Sequence, residues 1–261
     1  MNVFLREMKA YRKSLIIWSI GLVLLLLMGK TEYSSLSSSG QSLNELIESM
    51  PKALQALMGT GTLDLSTPIG YFSILYLYLL LMGTIHAAML GASIIAKEER
   101  DKTFEFLFVK PITRTKVITM KLLAALTNLV VFNAVTTIAT ILVFEMNREI
   151  KDLFMLMSGM LLLQLLFLMI GSALASVIRG PKRAAPFAMG ILLLTFILSI
   201  VIDLSEKLEP FTYIVPFRYF TAKKILTGDG FEAVYVILSL SFIVALTVTT
   251  YVFYKKKDLN V

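Results

Sequence analysis

The residues best suited to specific recognition stand together between Lys97 and Lys121, in the stretch KEERDKTFEFLFVKPITRTKVITMK. Glu98, Glu99, Arg100, Asp101, Lys102 and Glu105 supply both signs of charge, and Thr103 and Phe106 fall among them. Phe104, Leu107 and Phe108 recur at i, i+3 and i+4, so a helix here puts aromatic and aliphatic knobs on one face. A short helix of that kind can seat in a groove of a soluble partner. A solvated loop with one turn resting on lipid has the same composition. Pro111 breaks the helix, and the Thr113 hydroxyl, one residue before Arg114, can cap the next one.

Catalytic chemistry has little to work with. Cysteine is absent and histidine occurs once, at His86. That excludes a thiol nucleophile, a thiolate metal site, a His-based dyad and a multi-His metal site. Met155, Met157, Met160 and Met169 could suggest copper, but with no Cys and one His, adaptable or lipid-facing packing is the plainer account. No GxxxxGK[ST] phosphate loop occurs, and Gly59-Thr60-Gly61 has neither its spacing nor its lysine. The chain is expected to hold no catalytic residue and no metal.

The elements that position the charged stretch are apolar. Of 261 residues, 57% are hydrophobic and 16% charged, against a usual charged share of about 25%. A bilayer core of about 30 Å takes about 20 helical residues. Six stretches, 14–29, 65–96, 117–144, 153–178, 184–202 and 233–254, meet or approach that length. Pro68 is placed to open the second. The expected fold is therefore all-α and membrane-integral, one permease-like domain over residues 1–261 with six spans. A cleaved signal peptide is disfavoured, because no small-x-small pattern follows Gly29 and five more spans do.

Orientation follows from the cations. With the N-terminus cytoplasmic, seventeen of the twenty-five Lys and Arg residues fall on the inner side. The positive-inside rule then puts both termini in the cytoplasm. The formal charge of +7 is thereby assigned to membrane orientation and not to nucleic acid.

Other segments add detail. Phe4, Met8 and Tyr11 share a face at i, i+4 and i+7, opposite Arg6, Lys9 and Lys13. Residues 1–13 therefore read either as an amphipathic helix in the inner interface or as a plain basic flank. Ser42, three residues before Glu45, makes a capping-box pattern ahead of Leu43, Leu46, Ile47 and Met50, so a short amphipathic helix is expected there. Residues 203–232 hold Phe211, Tyr213, Phe217, Tyr219 and Phe220, rings suited to the outer interface. Gly83, Ala87 and Gly91 form a small-xxx-small stripe, as do Gly171 and Ala175, and both predict close helix contacts. His86, Asn128, Asn133 and Gln164 are expected to bridge helices. The span interiors lack Asp, Glu, Lys and Arg, which argues against a carboxylate proton relay.

The charged stretch resembles the first cytoplasmic loop of ABC-2-type permeases, the membrane subunits of ATP-binding-cassette exporters. The resemblance rests on Glu98, Glu99, Thr103, Leu107, Pro111, Thr113, Arg114 and Lys121, with Lys102 where the family usually has glycine. The basic amphipathic start, the six spans and the length also match, so it covers the whole chain. It implies a coupling helix around Glu98–Leu107 between spans two and three, docking on a nucleotide-binding subunit that carries ATP and magnesium. It implies a second permease copy, with a homodimer favoured over a heterodimer, in a lipid bilayer that is the inner membrane of a bacterium. It further implies re-entrant short helices within residues 203–232, and export of an amphipathic or hydrophobic cargo such as a peptide, lipid-like molecule or drug. The alternative is an ATP-independent secondary transporter or channel. An intramembrane enzyme has almost no residues to draw on, and a non-transporting membrane anchor would use the same loop.

Overall fold

The computed structural model describes residues 2–38, 45, 49–51, 55, 64–101, 112–146, 148–180, 182–228 and 230–257. Among them all regular structure is helical: α1 (Val3–Ser38), α2 (Pro68–Arg100), α3 (Arg114–Phe144), α4 (Ile150–Val177), α5 (Ala184–Leu204), two 3-10 segments (Glu206–Ile214 and Pro216–Arg218), α6 (Ala222–Thr227) and α7 (Ala233–Lys256). Six of these helices, α1 to α5 and α7, are long and apolar enough to cross a membrane.

The helix starts follow local chemistry. Pro68 opens α2, where its missing N–H costs nothing, and the Thr67 hydroxyl accepts from Gly70 N at 3.1 Å. The Thr113 hydroxyl accepts from Lys116 N at 3.3 Å and starts α3. α3 ends where Glu145 takes a left-handed conformation at φ 55°.

The first helix is longer than its apolar core. α1 runs unbroken from Val3 to Ser38, with no boundary at Lys13. No proline interrupts these residues, and the basic segment is made of good helix formers, so it simply extends the span. Instead of lying as a separate element, its Phe4, Met8 and Tyr11 pack against the buried cluster at the end of the bundle where the chain begins.

α2 and α4 form the centre. They share the most extensive helix contact, and α4 also packs on α3, α5 and α7. Glycines permit the approach: a Cβ at Gly91 would stand 2.1 Å from the Leu168 carbonyl oxygen, and one at Gly171 would stand 2.3 Å from the Ala88 oxygen. Ala87 and Ala175, on the same stripes, are buried. Tyr76 donates its hydroxyl to Leu156 O across this seam at 2.8 Å. Asn133 Nδ2 donates to Met157 O at 3.2 Å, joining α3 to α4. By contrast, α1, α5 and α7 present most of their apolar side chains outward.

Candidate functional site

At the end carrying both chain termini, the helices bury charge. Glu7 projects from the inward face of α1, between Phe4, Met8 and Tyr11 in helical register, and its side chain is fully buried. Glu98 sits in the last turn of α2, and Lys121 projects from the buried face of α3 that also carries Val117, Ile118 and Ala125. Arg6 Nη2 donates to Glu7 Oε1 at 2.6 Å and to Glu98 Oε1 at 2.7 Å. Lys97 Nζ donates to Glu7 Oε2 at 2.9 Å. Lys121 Nζ pairs with Glu98 Oε2 at 2.5 Å and also donates to the Ile94 carbonyl. The result is one connected set of three cations and two carboxylates that ties α1, α2 and α3 together.

A second set ties in the end of the chain. Lys257 Nζ forms an ion pair with Glu99 Oε2 at 2.6 Å and donates to Ala175 O at 3.0 Å and to Ile178 O at 3.2 Å. It thereby satisfies carbonyls at the C-terminus of α4, where a cation also meets the negative end of the helix dipole. Arg114 Nη1 donates to Lys255 O at 3.0 Å and Lys257 O at 2.9 Å, closing the end of α7.

These contacts lie on both flanks of the segment between α2 and α3. Glu98 and Glu99 stand before it and Arg114 after it. Glu98 is turned into the protein at 2% exposure, so its carboxylate binds within this chain. Arg100 and Asp101 face outward, paired with each other at 3.0 Å. Lys102, Thr103, Phe104, Glu105, Phe106, Leu107 and Pro111 lie outside the described residues, as do Leu43, Leu46 and Ile47 of the expected short amphipathic helix.

The polar groups within the spans divide. His86 is buried, with its ring 5.7 Å from Trp18 and 5.0 Å from Phe132 by centroid, and its Nδ1 has no hydrogen-bond partner. Asn128 Oδ1 and both amide atoms of Gln164 are also buried and unpartnered. Gln164 lies against Gly83, where an added Cβ would stand 2.4 Å from its Nε2. Met157 and Met160 are buried among apolar side chains, so they pack inward and do not face lipid.

The aromatic segment after α5 is split by its packing. Phe217 inserts between Phe167 and Phe196, each 5.3 Å away by centroid. Tyr219 stacks on Tyr235 at 5.0 Å and donates its hydroxyl to the Tyr213 carbonyl. Burial, with Tyr235 beside it, pushes the Tyr219 hydroxyl up to about 12, so it remains a donor at neutral pH. Phe211, Tyr213 and Ile214 stay exposed.

The sequence alone does not assign Glu7, Lys97, Lys121 or Lys257 to this network, although Lys97 and Lys257 count among the inner-side cations. The signal for Glu7 was present, because a carboxylate on an apolar helical face must be paired if that face is buried. Lys121 carried the same signal, at helical spacing from Val117 and Ile118. Lys257 gave no such sign, because it ends a run of three lysines that reads as an ordinary flank.

Residues 1–259 match the family described as ABC-2 family transporter protein. No curated protein matches the chain significantly.

Proposed function

The chain belongs to the ABC-2 transporter family, and from that premise we propose that it is the permease of an exporter whose ATPase is a separate subunit. Permeases of this family work with ATP-binding subunits in general, and the chain is a multi-pass membrane protein. The finer reading has both termini in the cytoplasm of a bacterial cell, with the spans in the inner membrane. Two copies of this chain pair, each seated on one nucleotide-binding subunit. ATP and magnesium act on those subunits, and this chain contributes no catalytic group. The cargo is amphipathic or hydrophobic, in keeping with spans whose mid-membrane polar side chains are all uncharged.

One observation supports the reading most. The stretch expected to dock on the ATPase is held at both flanks by charge: Glu98 and Glu99 on one side, Arg114 on the other. Those contacts reach the start of α1, the start of α3 and the end of α7. A force on residues 100–112 therefore passes into three spans at once, which is what rigid-body coupling needs. In this reading Glu98 and Glu99 transmit, and Arg100, Asp101, Lys102, Thr103, Phe104, Glu105, Phe106 and Leu107 contact the partner.

Purification of the full chain from its native membrane tests the proposal. A P-loop ATPase should accompany it in equal amount and be lost with Phe104→Ala. A chain that arrives without any ATPase, from a membrane where transport persists, contradicts it.

A further inference from the structure

The end of the bundle away from the termini holds a cavity of 480 Å³, within the size range of small-ligand sites. It lies between α2 (Ser73, Tyr76), the last turns of α5 (Ser199, Ile200, Asp203) and the segment from Glu209 to Thr227. The transmission network described above does not reach it.

Its lining is charged in both senses. Arg218, Lys223 and Lys224 face it, and so do Asp203 and Glu209. Arg218 spends one edge of its guanidinium on Asp203, while its Nε is buried without a partner. Lys224 is held at the wall by the Tyr235 hydroxyl at 3.0 Å, with its ammonium 4.1 Å from the ring centroid. Glu232 is its nearest carboxylate, at 3.6 Å. Lys223 and Glu209 are exposed and carry opposite charges. The lining is thus near neutral in sum but polar by place, with an excess of donors around Arg218, Lys223 and Lys224 and acceptors at Glu209 and Asp203.

The cavity also continues into an apolar track. Ile200 lines it, and Leu193, Ile197 and Leu204 share its face of α5 at helical spacing. Those three are 45%, 57% and 49% exposed, so the track is open to the bilayer along about three turns.

We propose that this cavity binds the zwitterionic headgroup of a phospholipid, with its chains laid on the Leu193–Ile197–Leu204 face. A phosphate meets the donors of Arg218, Lys223 and Lys224, where charge-assisted bonds are strongest. An ammonium meets Glu209. A headgroup with phosphate alone leaves Glu209 facing like charge, and one with neither leaves five charged groups in contact with apolar surface. The proposal rests on the permease reading for its meaning, since it places a zwitterionic amphiphile at the outer end of the path.

The test is native mass spectrometry of the full chain in detergent micelles with dioleoyl phosphatidylethanolamine, phosphatidylglycerol or diacylglycerol at equal concentration. Phosphatidylethanolamine should be retained about tenfold better than phosphatidylglycerol, the ratio expected for one charge-assisted contact, and better still than diacylglycerol, which lacks the phosphate as well. Glu209→Gln should reduce the preference over phosphatidylglycerol by about tenfold, and Lys223→Gln the preference over diacylglycerol by about tenfold; both positions are exposed, so the packing stays intact. Equal retention of all three lipids marks the bound lipid as an unspecific shell and overturns the proposal, as does a preference unchanged in both variants. Equal competition by free O-phosphoethanolamine assigns the cavity to a soluble zwitterion and overturns the lipid assignment. Co-purification of the ATPase is scored on the same preparations. If the ATPase is present and the preference absent, the headgroup proposal fails and the permease reading stands; the converse result separates them the other way.

Discussion

Lys121 and Glu98 meet at 2.5 Å between α3 and α2, and their side chains are 0% and 3% exposed. The two residues bracket, in sequence, the whole segment expected to dock on the ATPase. A buried pair is poor evidence for stability as such, because desolvation offsets most of the attraction. Removing one partner is different, since it strands the other charge. Glu98→Gln should therefore destabilise the chain by about 3–5 kcal/mol. Thermal unfolding in detergent reads the loss, and Lys121→Met added to Glu98→Gln should recover a large part of it. No recovery in the double variant contradicts the pairing.

Glu99 and Lys257 predict a milder effect. Their side chains keep 26% and 12% exposure, so solvent screens the pair, and its share is about 0–1 kcal/mol. Lys257 also donates to two carbonyls at the end of α4. Lys257→Ala should cost more than Glu99→Gln, because it loses those bonds as well. Unfolding midpoints of the two variants in one detergent decide the order.

The glycine seam predicts a sharp contrast between positions. Gly91→Ala and Gly171→Ala place a methyl group against backbone oxygens at 2.1 Å and 2.3 Å, which cannot yield like a flexible side chain. Overpacking of this sort costs about 1–3 kcal/mol or more. Gly190→Ala on α5 meets nothing within 4 Å and should be neutral or slightly stabilising. Size-exclusion profiles and melting curves of the three variants provide the check. A destabilised Gly190→Ala would mean that a second copy covers that face of α5.

Much of this arrangement is readable from the residues alone, and the part that is not has a physical cause. Hydropathy marks all six long helices because the bilayer demands length and apolarity from each span separately. Pro68 and Thr113 mark helix starts because capping is local. The continuity of α1 is harder to read, since a basic segment can extend a span or lie beside it with the same composition. The pairing of Glu98 with Lys121, or of Glu99 with Lys257, joins residues that only tertiary packing brings together. No periodicity within one helix specifies the partner on another. His86 shows the reverse error: its polarity suggested a bridging hydrogen bond, yet it is held by the rings of Trp18 and Phe132.

That packing makes His86 replaceable. His86→Phe keeps both ring contacts and removes a buried Nδ1 that has no partner. Stability should be unchanged or rise, and transport should persist. Abolished transport in a normally assembled His86→Phe transporter would give the imidazole a role in cargo movement.

The most direct measurement reconstitutes the chain with its co-purified ATPase in vesicles and follows ATP turnover and cargo movement together, in the native form and in the Glu98→Gln/Lys121→Met form. The charge pair is absent from the second form, but its helices remain packed. The account predicts that the ATPase still binds and still hydrolyses ATP, while cargo movement per ATP falls about tenfold or more, the scale of one lost coupling contact. Equal cargo movement per ATP in both forms would show that force does not pass through Glu98 and Lys121, and would contradict the account at its centre.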